Sequence, residues 1–226
     1  NLCFQDEHFN RLFVGAKALD INIRKSPSEL VNIVHNTLKA NKMKSDVHIR
    51  LIVSRGVKHT PYQHPNANVG GPTIVVIPEY KKTDLRMIQK GIRLCSVDTI
   101  RGPENVQNPR LNTLSKLNCI FACIEADKKG YDEALMLDIN GHVSTCNSTN
   151  FFIVKNGAVW TSLGEYCLPG VTRGNIIKLC QENNIPIFEK NFTIEDVYSA
   201  DEIFVTGTFA GVIPVMEVND KIINSN

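Results

Sequence analysis

The sequence predicts a mixed α/β protein in two domains, and three observations carry that prediction. Helical periodicity opens the chain, alternating apolar runs follow, and the pairs Asn140-Gly141 and Asn156-Gly157 sit between short segments of strand-forming residues. Between these halves, residues 101–110 are polar, carry two prolines and lack periodicity. They read as an interdomain linker, with a smaller domain over 1–100 and a larger one over 111–226.

At the start, Phe9, Leu12, Phe13, Ala16 and Leu19 fall on one helical face, with Arg11 off it. Ser26-Pro27-Ser28-Glu29 spells a capping box with proline at the first helical position, and Leu30, Val31, Val34 and Leu38 form the buried stripe behind it. A strand follows, in which Val47, Ile49, Leu51 and Val53 alternate with His48 and Arg50. Residues 54–72 form a long Gly, Pro, Asn and His-rich loop before a second strand over 73–77. Arg55, Lys58, His59 and His64 on this loop suit a carboxylate, and a mobile surface loop accounts for them equally well. A charged connector over 80–90 leads to a strand through Ile92, Leu94 and Ser96.

Residues 112–129 repeat as a helix ending at Gly130, where a left-handed cap is expected. Leu114, Leu117, Ile120, Phe121 and Ile124 would be its core face, and Asn112, Lys116, Cys119 and Cys123 a neighbouring row. A lysine in such a row is ordinarily a snorkelling edge residue; drawn into a pocket, its lowered pKa would make it a usable amine nucleophile.

The segment 133–173 organises the second half. Its two hairpins place strands at 134–138, 142–145, 151–154 and 158–161, and Leu168-Pro169-Gly170-Val171-Thr172-Arg173 then opens a helix through Ile176, Ile177, Leu179 and Cys180. A glycine at a helix start exposes amides at the positive end of the dipole, where a phosphate can bind. Further strands at 185–188, 202–205 and 212–218 flank a short helix capped by Thr193. The turn Thr206-Gly207-Thr208 offers an amide and two hydroxyls to an anion.

Composition narrows the function. The net charge of +2 makes no electrostatic case for nucleic acid or an anionic membrane. No run is apolar enough to span a bilayer, so the expectation is a soluble protein. The seven cysteines are scattered and show no C-x-x-C pair, which fits reduced thiols in the cytoplasm and no metal site.

Four motifs in order, EHFNRLFVGAKAL, GYDEALMLDINGHVSTCNSTNFFIV, LPGVTRGNIIKL and SADEIFVTGTFAGVIPVMEV, resemble the fold-type IV pyridoxal phosphate enzymes. These are the class IV aminotransferases, which include branched-chain and D-amino acid aminotransferases and aminodeoxychorismate lyase. The resemblance implies a small α/β domain and a larger pseudo-barrel domain, pyridoxal 5′-phosphate as cofactor, amino acid and 2-oxo acid substrates, and a homodimer. It assigns the phosphate to Arg11, Val171, Thr172, Gly207 and Thr208, places Asn150 behind the pyridine ring, and sets Thr145 at the ring nitrogen. Relatives carry glutamate at position 145, whose charge keeps that nitrogen protonated; a threonine stabilises no such proton. Ungapped alignment puts Asn112 where relatives have the lysine that bonds the cofactor, and Lys116 is the replacement expected. A transferase acting on a small amino acid of branched-chain or D type is the reading that follows, with Arg55, Lys58 and His59 as candidates for the substrate carboxylate. A lyase, or a catalytically silent member of the fold, stays open through Thr145 and Asn112. Relatives also have strands before the Glu7-His8 motif and continue past the C-terminal hairpin, so this chain reads as truncated or as part of a longer protein.

Overall fold

The computed structural model describes residues 2–82, 85–209 and 211–223. Contacts divide the chain into two units, Asn1–Lys82 and Thr83–Asn226.

In the first unit, α1 (Gln5–Ala18) and α2 (Pro27–Ala40) precede the antiparallel pair β1 (Val47–Ser54) and β2 (Thr73–Tyr80). The capping box of α2 is formed as its spelling requires: Ser26 Oγ accepts from the Glu29 amide, and the Glu29 carboxylate accepts from the Ser26 amide at 2.8 Å. Phe9, Ala16, Leu30 and Val34 bury the helix stripes against the inward side chains of the pair, among them Ile49, Leu51 and Val76. The β1–β2 loop contains a single 3-10 turn, Pro65–Ala67, and a bridge between Lys58 and Asn68.

The second unit runs α3 (Leu85–Lys90), β3 (Ile92–Ser96), α4 (Glu104–Gln107), α5 (Leu117–Lys128), β4 (Glu133–Leu137), β5 (Val143–Cys146), β6 (Asn150–Lys155), β7 (Ala158–Thr161), α6 (Val171–Glu182), β8 (Ile187–Glu189), α7 (Ile194–Tyr198), β9 (Glu202–Gly207), β10 (Gly211–Val218) and β11 (Lys221–Ile222). Its strands follow the order β5-β4-β3-β10-β9-β6-β7-β8, with β11 paired to β10. The two ends of this order approach each other. The amide of Val143 on β5 donates to the Phe192 carbonyl, three residues past β8, and Ser162 Oγ at the end of β7 donates to the Ser144 carbonyl at 2.7 Å. The sheet therefore curls, as the pseudo-barrel expectation requires, around a core that includes Leu94, Leu135, Phe151, Ile153, Val205 and Val218.

The two Asn-Gly turns differ in kind. Asn156 and Gly157 both have positive φ (52° and 73°), the mirror-image turn that matches strand twist. At the first, only Gly141 is left-handed, its amide donates to the Asp138 carbonyl, and the register shifts between Met136 and Leu137.

By contacts, the two units meet at Lys82/Thr83, and β3 pairs with both β10 and β4 within the larger sheet. Two expectations are corrected. The helix expected from Asn112 begins at Leu117, so Asn112 and Lys116 share no helical face. Leu114, Leu117, Ile120, Phe121 and Ile124 are exposed, at 62%, 62%, 51%, 54% and 44%, while the face of α5 that meets the sheet carries the small residues Ala122 and Ala126.

Candidate functional site: a cradle around Asn150

Asn150 opens β6 and is buried. Its backbone pairs with Thr206 on β9, and its Nδ2 donates to the Leu168 carbonyl at 3.0 Å. Its Oδ1 lies so near Gly170 that a Cβ there would stand 2.2 Å from it. Gly170 has an ordinary φ of −64°, so this contact, rather than backbone freedom, demands glycine. One asparagine thus joins the two turns that sequence spacing could not connect, the start of α6 and the end of β9.

The start of α6 suits an anion. Gly170 is its N-cap, no side chain caps the end, and its first turn has no acidic residue. The first amides of a helix lack intrahelical acceptors, so those of Val171 and Thr172 point outward at the positive end of the dipole. At the facing turn, Thr206 Oγ1 is buried with no partner among the described residues, a costly condition that an incoming acceptor would relieve. A Cβ at Gly207 would stand 3.4 Å from Thr149 Cγ2, and Thr208 is exposed. Arg173, the end of the same motif, is turned elsewhere: its Nη2 donates to the Ser162 carbonyl and to Glu189 Oε2, both at 2.7 Å.

Thr145 is buried on β5 opposite Met136, and its hydroxyl donates to the Thr149 carbonyl at 2.8 Å. With its proton engaged in this way, it offers a ring nitrogen only neutral lone pairs. Glu133, absent from the sequence-based candidates, holds the turn between Thr145 and Asn150. One carboxylate oxygen accepts from the Ser148 amide and hydroxyl, both at 2.7 Å, and the other from Thr149 Oγ1 at 2.9 Å. Burial pushes the Glu133 carboxyl up, against the downward pull of those hydrogen bonds. The signal in the sequence is an acid heading the apolar strand Ala134 to Leu137.

Lys116 is half-buried at the N-cap of α5 and lines a cavity of about 400 Å³ together with Arg101 and Cys119. Asn112, four residues earlier, is exposed and outside any helix. Arg101, read as a linker residue, donates to Asn118 Oδ1 at 3.0 Å and to the Tyr166 carbonyl at 3.1 Å. The segment 166–168 therefore touches both regions, since the Leu168 carbonyl holds Asn150.

The other sequence candidates lie in the first unit. Arg11 is half-buried on α1, and burial lowers its pKa. The Arg55 guanidinium donates to the carbonyls of Leu19 and Asp20, the open end of α1, and so caps that helix. Lys58 Nζ donates to the Tyr62 carbonyl at 2.7 Å, and His59 is exposed, its amide bonded to the Ala67 carbonyl. These contacts close the loop on itself.

Comparison with known proteins adds the following. The family described as amino-transferase class IV matches residues 1–218. A Methanocaldococcus jannaschii protein, named provisionally as a branched-chain-amino-acid aminotransferase, is 39% identical over 220 residues, which are 97% of this chain and 75% of that relative. Branched-chain-amino-acid aminotransferase-like protein 1 of Arabidopsis thaliana is 34% identical over 96% of this chain, which spans only 39% of that longer protein. Among solved structures, the branched-chain aminotransferase of the archaeon Thermoproteus uzoniensis with norvaline superposes with a TM-score of 0.88 at 29% identity, covering 97% of this chain and 73% of that one.

Proposed function

The chain belongs to the class IV aminotransferase family, and we propose that it moves an amino group between a branched-chain amino acid and a 2-oxo acid with pyridoxal 5′-phosphate as cofactor. The observation that carries this reading is the cradle. Asn150 holds the glycine-capped start of α6 beside a buried, unsatisfied Thr206 hydroxyl, a donor set suited to a phosphate monoester. The names of the relatives supply the substrate class.

When bound, the cofactor supplies the electron-withdrawing ring that carries the amino group. In our assignment, the amides of Val171 and Thr172, the Gly207 turn and the Thr208 hydroxyl would take the phosphate. Lys116 would be the amine that holds the cofactor and would move the proton at the substrate's α carbon. Thr145, its proton given to the Thr149 carbonyl, would meet the ring nitrogen with a neutral oxygen only, which would hold a proton there less firmly than a carboxylate and would slow turnover. Glu133 fixes the turn between Thr145 and Asn150.

Two further assignments go with this reading. The exposed stripe Leu117, Ile120, Phe121 and Ile124 on α5 covers a second copy of the chain, because two such helices packed antiparallel would bury both stripes and oppose their dipoles. No described helix is long and apolar enough to cross a membrane, and a cytoplasmic location is our assignment, supported by scattered cysteines read as reduced thiols.

The test is leucine with 2-oxoglutarate, following glutamate, in parallel with borohydride reduction of the cofactor-loaded chain and peptide mapping. The reading expects glutamate and a label on Lys116. Glutamate with the label on another lysine overturns only the assignment of the amine; a colourless protein that neither labels nor turns over contradicts the transferase reading. That last result would favour a silent member of the fold, which Asn112 and the engaged Thr145 proton already suggest.

A further inference from the structure

Arg173 breaks a local rule. A cation in the first turn of a helix sits at the positive end of the dipole, where carboxylates are favoured, yet Arg173 is the third residue of α6 and that turn holds no acidic residue. It is also buried, at 7% exposure. A charge removed from water needs compensation, and here two strands supply it. Its Nη2 donates to the Ser162 carbonyl, just past β7, and to Glu189 Oε2 at the end of β8, both at 2.7 Å. The guanidinium lies along the segment after β7, where a Cβ added to Gly164 would stand 3.7 Å from Nη2. The Nε is buried with no acceptor among the described residues, so the arrangement carries a local cost. Buried ion pairs add little net stability over apolar side chains of similar volume. What such a pair does supply is direction, since each bond fixes a donor against one acceptor.

Direction matters at this place. The amides at the start of α6 grip an anion only while they point at it, and a helix end held at one point can still turn. Asn150 supplies one hold from β6, with Nδ2 on the Leu168 carbonyl and Oδ1 against Gly170. Arg173 supplies the other, to the end of β7 and to β8. Ser162 is itself fixed, because its Oγ donates to the Ser144 carbonyl on β5 at 2.7 Å. We propose that Arg173 is a positioning residue for the phosphate: it locks the first turn of α6 so that the Val171 and Thr172 amides stay aimed, without touching the anion itself. This rests on the phosphate reading of the cradle.

The experiment measures, by equilibrium dialysis of the full chain, the affinity for pyridoxal 5′-phosphate relative to pyridoxal, alongside urea unfolding. Arg173→Met, which keeps an unbranched apolar stem and removes the donors, should lower the preference for the phosphorylated form about tenfold, the worth of one misaligned charge-assisted hydrogen bond. Arg173→Lys, whose ammonium can still donate to both acceptors, should recover part of it. Val197→Ala, at a fully buried position in the core of the same unit, should lower stability and leave the preference unchanged, which separates aim from general loosening. Should Arg173→Met fail to fold, Glu189→Ala, which removes one acceptor at an exposed position, should lower the preference about threefold. A folded Arg173→Met with the wild-type preference would overturn the proposal and leave the phosphate reading in place, as would a Val197→Ala that loses as much preference as Arg173→Met. Equal affinity of the wild type for the two forms would remove the phosphate reading and this proposal with it.

Discussion

The cradle around Asn150 and the cavity beside Arg101 both favour anions, yet they are built in opposite ways. The cradle uses neutral dipoles: helix amides, a buried hydroxyl and a glycine, all locked to strand ends by one buried asparagine. The cavity uses full charges on a loop and a helix cap, with an exposed apolar rim. Fixed dipoles whose orientation is already set suit a group that is held through many turnovers.

Predictions that break or sharpen this contrast run from large to small. Lys116→Ala should lower leucine-dependent turnover by about a thousandfold, the scale of a lost proton-transfer group, while leaving cofactor-phosphate binding in place. Its counterpart, Asn112→Lys, should leave the borohydride label on Lys116; a label that moves to residue 112 would show that the amine belongs four residues earlier. Gly170→Ala drives a methyl to 2.2 Å from Asn150 Oδ1, so affinity for pyridoxal 5′-phosphate in equilibrium dialysis should fall by about a hundredfold as the cradle is displaced. In the Asn150→Ala, Gly170→Ala double variant, the clash is gone, and the two effects should combine to less than their sum.

Glu133 tests the turn beneath the cradle. Glu133→Ala leaves three donors without their acceptor and should cost about 3 kcal/mol in urea unfolding. The pH dependence has a definite sign. Burial raises the carboxyl pKa in the fold, so the native chain keeps this proton to higher pH than the unfolded chain does. Its contribution to stability is therefore fully present below the unfolded carboxylate pKa and is lost as pH rises through the folded value. Glu133→Gln should remove that slope. Smallest of all, Arg55→Gln should lower stability by about 1 kcal/mol through the lost cap on α1 and leave the KM for leucine unchanged. A large rise in KM would place the substrate carboxylate on the β1–β2 loop.

How much of this was legible in the sequence depended on how local the cause was. The strands of the larger sheet, the capping box at Ser26 and the left-handed Gly130 follow from neighbours a few residues apart, and each falls where its pattern placed it. The stripe on α5 was legible as a stripe but not as a surface, because periodicity shows that residues share a face and not what that face meets. Ala122 and Ala126 were the better clue, since small residues let a helix sit close to a sheet. Residues 112–116 include Thr113 and Ser115, which compete with helical hydrogen bonding, and the helix starts only after them. Arg101 escaped notice because its partners, Asn118 and Tyr166, lie 17 and 65 residues away. The union of Gly170 with Thr206 through Asn150 is likewise a long-range fact that no spacing encodes.

The central claim is that the second unit grips a phosphate at the start of α6. Its most direct test compares the affinity of the chain for pyridoxal 5′-phosphate with that for pyridoxal, which lacks the phosphate, in the wild type and in Gly170→Ala. The account predicts a preference of about a hundredfold or more for the phosphorylated form, as several charge-assisted hydrogen bonds would give, and its collapse in the variant. Equal affinity for the two forms in the wild type would contradict it.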